Sequence, residues 1–388
     1  MKPTTTFTPN PNKDSFAGLS SAGRSLESAA TLDPPPPPQR GVHITPEQLV
    51  STAESSDSES HSGISKADAL NPFTRLSKKS PGRVRHVWAI GGGKGGVGKS
   101  LISSNLALTL AKRGLKTIAI DLDLGGANLH TTLGVELPKQ TLSDLISGRT
   151  SHLENCLAST PFDHLQLISG AGDAVGAANL PFEKKRQIIE QLRELPADAL
   201  ILDLGAGTSY NTLDFFIAAD AGVVVLLPEP TSIENAYRFI KSVYFRKLAL
   251  TPSLAPVRNL IEMSLDPKNS RGIRSPADLY REIQATDAQL ALNLKEEISR
   301  IHPDLIVNQA RTQTDVDIGY SVKSVCKKYF GLDMEFTGYL DYDSAVWQAV
   351  RRKRPLLTEF PHSRLVSSIE RMTETLLTRG ERGWSLPI

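Results

Sequence analysis

The segment Gly91–Ser100, Gly-Gly-Gly-Lys-Gly-Gly-Val-Gly-Lys-Ser, constrains this chain more than any other stretch. It follows an apolar run, His86–Ile90, and opens an amphipathic one, Ser100–Arg113. Gly93, Gly98, Lys99 and Ser100 fill the pattern G-x-x-x-x-G-K-[ST]. Small residues let such a loop wrap a phosphate, so that N–H groups from Gly93, Lys94, Gly95, Gly96, Val97, Gly98 and on to Leu101 face its negative charge at a helix N-terminus. Lys99 is placed to reach the β and γ phosphates, and the Ser100 hydroxyl to ligate Mg²⁺. Gly93, Gly95 and Gly98 also spell the dinucleotide pattern G-x-G-x-x-G. A pyrophosphate held only by amides needs neither a lysine nor a magnesium ligand there, so a nucleoside triphosphate is expected.

The surrounding sequence is patterned to carry this loop. Short β-rich apolar runs occur at His86–Gly91, Thr117–Asp121, Leu165–Ile168, Ala199–Asp203, Gly222–Leu227, Leu305–Asn308 and Phe336–Leu340. They alternate with stretches whose apolar residues recur every three or four positions, such as Ser100–Arg113, Phe182–Glu194 and Ser232–Leu248. This predicts an α/β fold over residues 84–388, a mainly parallel sheet with helices on both faces. Residues 251–303 depart from the alternation. Predicted helices Ala277–Gln284 and Asp287–Ile301, with Leu290, Leu294, Ile298 and Ile301 on one stripe, make this region a helical insertion.

Composition matters chiefly for what precedes the sheet. Of residues 1–83, 38 are Ser, Thr, Pro or Gly, which predicts a disordered extension with a polyproline rod at Pro34–Pro38. Within it, Ile44–Ala53 and Ala69–Leu76 are candidate binding motifs or plain tether. With 44 basic and 42 acidic residues, the net charge of +2 supplies no whole-molecule field for nucleic acid or membrane. Two cysteines, Cys156 and Cys326, build no disulfide framework, and no apolar run is long enough to span a bilayer, so a cytoplasmic protein is expected.

Phosphoryl transfer assisted by a metal needs carboxylates at the carboxyl ends of strands beside the phosphate loop. Asp121 and Asp123 end the run that begins at Thr117, and Asp203 ends the run from Ala199. An isolated aspartate after a strand is often only a cap or turn residue. Three at strand ends, two of them spaced by one residue, point to magnesium.

Lys94–Ser100, Lys-Gly-Gly-Val-Gly-Lys-Ser, resembles the deviant Walker A motif of the MinD/ParA class of P-loop ATPases. The resemblance implies that Lys94 reaches across an ATP-dependent homodimer to the partner's nucleotide, the counterpart of an arginine finger. Asp121-Leu-Asp123-Leu-Gly125-Gly126-Ala-Asn128 is similar to switch I of that class. It implies that Asp123 handles the attacking water and Asp121 supports the metal shell. Asp203-Leu-Gly205-Ala-Gly207 resembles Walker B with switch II and implies a magnesium role for Asp203. Pro228-Glu229-Pro230-Thr231 resembles a stretch of the FlhG/FleN group, MinD-like proteins that place or count flagella. Asn308 matches the asparagine that reads adenine in the class, although Gln309 follows where an arginine is frequent and Asp341 stands where proline is usual.

The resemblance thus implies ATP and Mg²⁺ as ligands, slow hydrolysis, and a dimer that presents a surface to a protein partner. A membrane surface is a further expected partner of the ATP state. Nonspecific DNA, in the manner of ParA segregation proteins, is an alternative, and a cobyrinic-acid-synthase-like amidase or ligase a third reading. Iron–sulfur carriers of the fold use cysteines in C-x-x-C, which this chain lacks. Ser363–Arg379, with Leu365, Val366, Ile369, Met372, Leu376 and Leu377 on one side, suits either a packing helix or a membrane helix. Arg351-Arg352-Lys353-Arg354 is the strongest basic run.

Overall fold

Alternate side chains of a strand face opposite sides of a sheet. In β1 (His86–Gly91), Val87 and Ala89 join one buried cluster, while Trp88 and Ile90 join another. Both faces are therefore dry, as a parallel strand requires. The structure is a computed structural model that describes residues 84–170, 180–264, 269–273 and 275–380. The expectations for residues 1–83, for part of the insertion and for the tail from 381 lie outside the described residues.

The remaining strands are β2 (Thr117–Leu122), β3 (Ala158–Ser159), β4 (Leu165–Ile168), β5 (Ala199–Leu204), β6 (Ala221–Leu226), β7 (Asp304–Ala310) and β8 (Glu335–Asp341). They form one eight-stranded sheet in the order β3-β4-β2-β5-β1-β6-β7-β8. All neighbours pair in parallel except β3, which runs antiparallel to β4 at the edge. The fold is thus the α/β architecture expected, with each strand within one or two residues of its predicted bounds. Only β3, two residues long, has no apolar run to announce it.

Helices α1 (Lys99–Lys112), α2 (Leu129–Thr132), α3 (Leu142–Ile146), α4 (Phe182–Leu192), α5 (Tyr210–Ala218) and α6 (Pro230–Leu250) come first along the chain. Then come α7 (Arg258–Met263), α8 (Pro276–Thr286), α9 (Ala288–Ser299), α10 (Gln313–Val325), α11 (Ser344–Arg351), α12 (Leu356–Glu359) and α13 (Arg364–Gly380). The α1 and α13 helices share one face of the sheet, through Ile102, Leu106 and Leu110 on α1 and Leu365, Ile369 and Leu376 on α13. On the other face α4, α5, α6 and α10 are joined by α8 and α9, whose Leu279, Ile283, Ala291 and Leu294 are buried in the same cluster. Helices α8 and α9 therefore act as packing elements.

An ion pair and a buried lysine mark these layers. The apolar stripe of α13 is used in packing, and Arg379 near its end pairs with Asp304 at the start of β7 (2.7 Å). Packing, not a free membrane-facing stripe, is the state of this helix. On the opposite face Lys247 of α6 is buried, and desolvation pushes its pKa down to about 8, opposed by Glu297 of α9. An unfolded lysine titrates near ~10.4, so between about pH 8 and 10 the unfolded chain binds more protons and stability should rise with pH. Melting temperatures across that range should show the rise, and Lys247→Met should flatten it; an unchanged slope in the variant would assign the effect elsewhere.

Candidate nucleotide site

Strand register assembles the site. Asp121 of β2 lies opposite Asp203 of β5, and Ile90 of β1 lies opposite Asp203 on the other side. The phosphate loop therefore leaves β1 beside the two carboxylates, at the carboxyl edge of the sheet. Asp121 and Asp203 are fully buried. Desolvation, with mutual repulsion added for Asp121, raises both carboxyls above the usual carboxylate range. Two adjacent buried acids held in this way form a site that a divalent cation suits.

Each carboxylate has a distinct set of partners. Asp203 accepts from the Ser103 hydroxyl (2.9 Å), one turn along α1 from Ser100. Asp121 accepts from the backbone N–H of Asp123 (3.1 Å) and of Leu129 (2.9 Å), so its two oxygens pin both ends of the loop that follows β2. Asp123, half-buried, projects toward Gly205, where an added Cβ would stand 3.1 Å from its carboxylate. The switch-like loops after β2 and β5 thus touch through Asp123. The N–H of Gly207 donates to the carbonyl of Gly92 (3.3 Å), linking the second loop to the phosphate loop.

The two lysines of the loop are held differently. Lys99 is buried, and desolvation lowers its pKa against the opposing pull of Asp203 and Asp123. Its ammonium lies within reach of the Lys94 carbonyl (3.5 Å). Lys94 points elsewhere: its ammonium donates to the Thr231 hydroxyl (3.1 Å) and pairs with Glu229 (3.6 Å), both at the start of α6. The Pro-Glu-Pro-Thr stretch is therefore the seat of Lys94 in the single chain. Ser103 and Glu229 were absent from the sequence-based site; the signals available were Ser103's position three residues after Ser100 and Glu229's place at a strand end.

Asn308 sits beneath the loop. Its Nδ2 donates to the Val97 carbonyl (2.8 Å), and its Oδ1 accepts from the N–H of Gln309 (2.9 Å). Gly98 has φ +95°, and a Cβ there would stand 2.2 Å from Asn308 Nδ2. Both polar ends of Asn308 are engaged within the protein, so it braces the phosphate loop in this state. Ser100 and Leu101 open α1 beside the loop, while Gly95 and Gly96 are exposed at its tip.

Residues 83–273 match the ParA family, described as NUBPL iron-transfer P-loop NTPase. The chain is a P-loop NTPase of the ParA/MinD class. Antiactivator FleN of Pseudomonas aeruginosa is 27% identical over 303 residues, covering 78% of this chain and 88% of that protein. The flagellum site-determining protein YlxH of Helicobacter pylori is 37% identical over 163 residues, 39% of this chain, and the match spans only about half (52%) of that relative's length. Among solved structures, the septum site-determining protein MinD complexed with Mg-ADP from Pyrococcus horikoshii superposes with a TM-score of 0.51 at 19% identity. That alignment covers 75% of this chain and 95% of the other, and it establishes the fold. The iron in the family description meets no thiol site among the described residues of this ParA/MinD-class chain, where Cys156 and Cys326 are both buried and free. No helix among them is long and apolar enough to cross a membrane.

Proposed function

We propose that this ParA/MinD-class NTPase binds Mg·ATP, pairs with a second copy of itself, and hydrolyses ATP slowly, acting as a switch that regulates the number or placement of flagella. The observation that carries the reading is the separation of the two loop lysines. Lys99 lies buried toward Asp203 and Asp123, where a bound phosphate would use it, whereas Lys94 extends to the rim at Glu229 and Thr231. A cation on the rim is available to a nucleotide in a facing copy. The similarity to FleN over most of that protein's length supports the flagellar role.

The residues present fit the ligands. Gly95 and Gly96 face open space that leaves room for phosphate oxygens, Gly93 and Gly98 let the loop pack closely on Asn235 and Asn308, and the raised carboxyls of Asp121 and Asp203 suit a cation. Magnesium held near Ser100, Asp203 and Asp123, with Asp121 behind them, would neutralise charge on the phosphates. Asp123, at the mouth of the site, is positioned to orient a water for attack. Asp121 keeps the loop carrying Asp123 in place through its two backbone contacts. Lys99 in cis and Lys94 in trans would stabilise negative charge on the transferred group.

Partner recognition follows from pairing, because a surface made by two copies exists only in the ATP state. Light scattering during gel filtration of the full chain should give a dimer with Mg·ATP and a monomer with Mg·ADP. The same mass in both nucleotides would remove the switch reading while leaving nucleotide binding intact.

A further inference from the structure

Helix α11 is built inside out. Its alanines, Ala345 and Ala349, are buried, while Trp347 and Val350 are 62% and 48% exposed. Of nine large hydrophobic residues exposed among the described residues, four, Tyr339, Tyr342, Trp347 and Val350, fall within one stretch of twelve. Isolated apolar residues on a surface need no explanation, but a concentration of them does.

Cations frame this face. The Arg351 guanidinium lies over the Trp347 ring (5.1 Å to its centroid), and that of Arg311 lies over Tyr342 (3.9 Å). The turn Arg351-Arg352-Lys353-Arg354 is exposed throughout. Glu359 answers two of its charges, pairing with Arg352 and with Arg354 (3.8 Å). The surface therefore suits an occupant that is acidic and carries a few aliphatic side chains.

The chain contains such a segment. Residues 45–59, which lie outside the described residues and are judged here on sequence alone, hold Glu47, Glu54, Asp57 and Glu59 together with Leu49, Val50 and Ala53. No Lys or Arg occurs anywhere from Gly41 to Ser65. We propose that residues 45–59 dock in cis on the Trp347–Val350 face of α11 and its basic turn.

Reach and concentration favour the intramolecular occupant. Residues 60–83 lie between the segment and the described domain, and 24 residues can span at most ~80 Å, enough to reach the face. Tethering holds the segment at an effective concentration of about millimolar. Exposed ion pairs are individually weak, so contacts of this kind are populated only at such concentrations. DNA or anionic lipid shares the negative charge but has to be recruited from solution, and duplex DNA offers little to Val350. The inference goes beyond the nucleotide switch and does not depend on it.

Zero-length carbodiimide coupling of the full chain, read by peptide mass spectrometry, tests the contact, because Lys353 is the one lysine of the basic run. Links from Glu54, Asp57 or Glu59 to Lys353 are expected to exceed those to exposed Lys116, Lys139 or Lys327 by about tenfold, and to fade in high salt. Trp347→Ser with Val350→Ser should lower the Lys353 links about tenfold while leaving the melting temperature unchanged, since both side chains are exposed. Links spread evenly over these lysines would overturn the proposal. So would links found only between chains in a mixture of isotope-labelled and unlabelled protein. Shielding of Lys353 by added duplex DNA or phosphatidylglycerol vesicles, with no links from 45–59, would assign the face to those ligands and overturn it as well.

Discussion

Lys94→Ala is expected to leave Mg·ATP affinity of the single chain within about threefold while reducing ATP turnover by ~10³ and abolishing ATP-driven pairing. The contacts of Lys94 in the single chain are to Glu229 and Thr231, and both lysine and glutamate are solvent-exposed, so their loss costs the monomer little. The large effect arises only where the ammonium would meet charge developing on a phosphoryl group with water excluded. Lys99→Ala should behave differently, losing nucleotide affinity itself, because that side chain is buried at the carboxylates. Equilibrium binding of a fluorescent ATP analogue alongside steady-state phosphate release separates the two variants. Wild-type turnover in Lys94→Ala would mean that the two copies do not complete each other's sites.

Gly93→Ala should be comparably severe by another route. A Cβ at Gly93 would stand 1.9 Å from the carbonyl oxygen of Asn235, and a backbone atom inside α6 cannot swing away as a side chain does. The loop would have to lift from α6, displacing the amides that face phosphate. Nucleotide affinity should fall about a hundredfold, and the melting temperature by about 5 °C. Gly95→Ala is the internal control for stability, since nothing lies within 4 Å of a Cβ built there. If the two variants melt alike, α6 yields at Asn235 and the packing argument fails.

How far the sequence disclosed this site depends on which interactions are local. The loop and the two strand ends were legible because their chemistry sits in consecutive residues, and because parallel strands buried on both faces read as unbroken apolar runs. Ser103 escaped notice because its partner Asp203 is a hundred residues away and only β1–β5 pairing brings them together. The side chain of Asn308 presents the same difficulty in reverse. Its identity suggests a base-reading role, yet the bond to Val97 depends on how β7 sits under the loop. The alternatives for Ser363–Arg379 could not be separated by periodicity, since an apolar stripe looks alike whether it meets a sheet or a bilayer; the burial of Leu365, Ile369 and Leu376 separates them.

The pair between Arg379 and Asp304 has a practical corollary for watching this protein at work. Asp304 begins β7, whereas Asn308 lies toward its other end beneath the phosphate loop, so the chain leaves α13 at the edge of the sheet away from the nucleotide. Seven residues of strand put roughly 20 Å between the two edges. A fluorescent reporter attached after α13 would therefore ride clear of the face on which two copies would meet, whereas one inserted near Gly125 would stand on it.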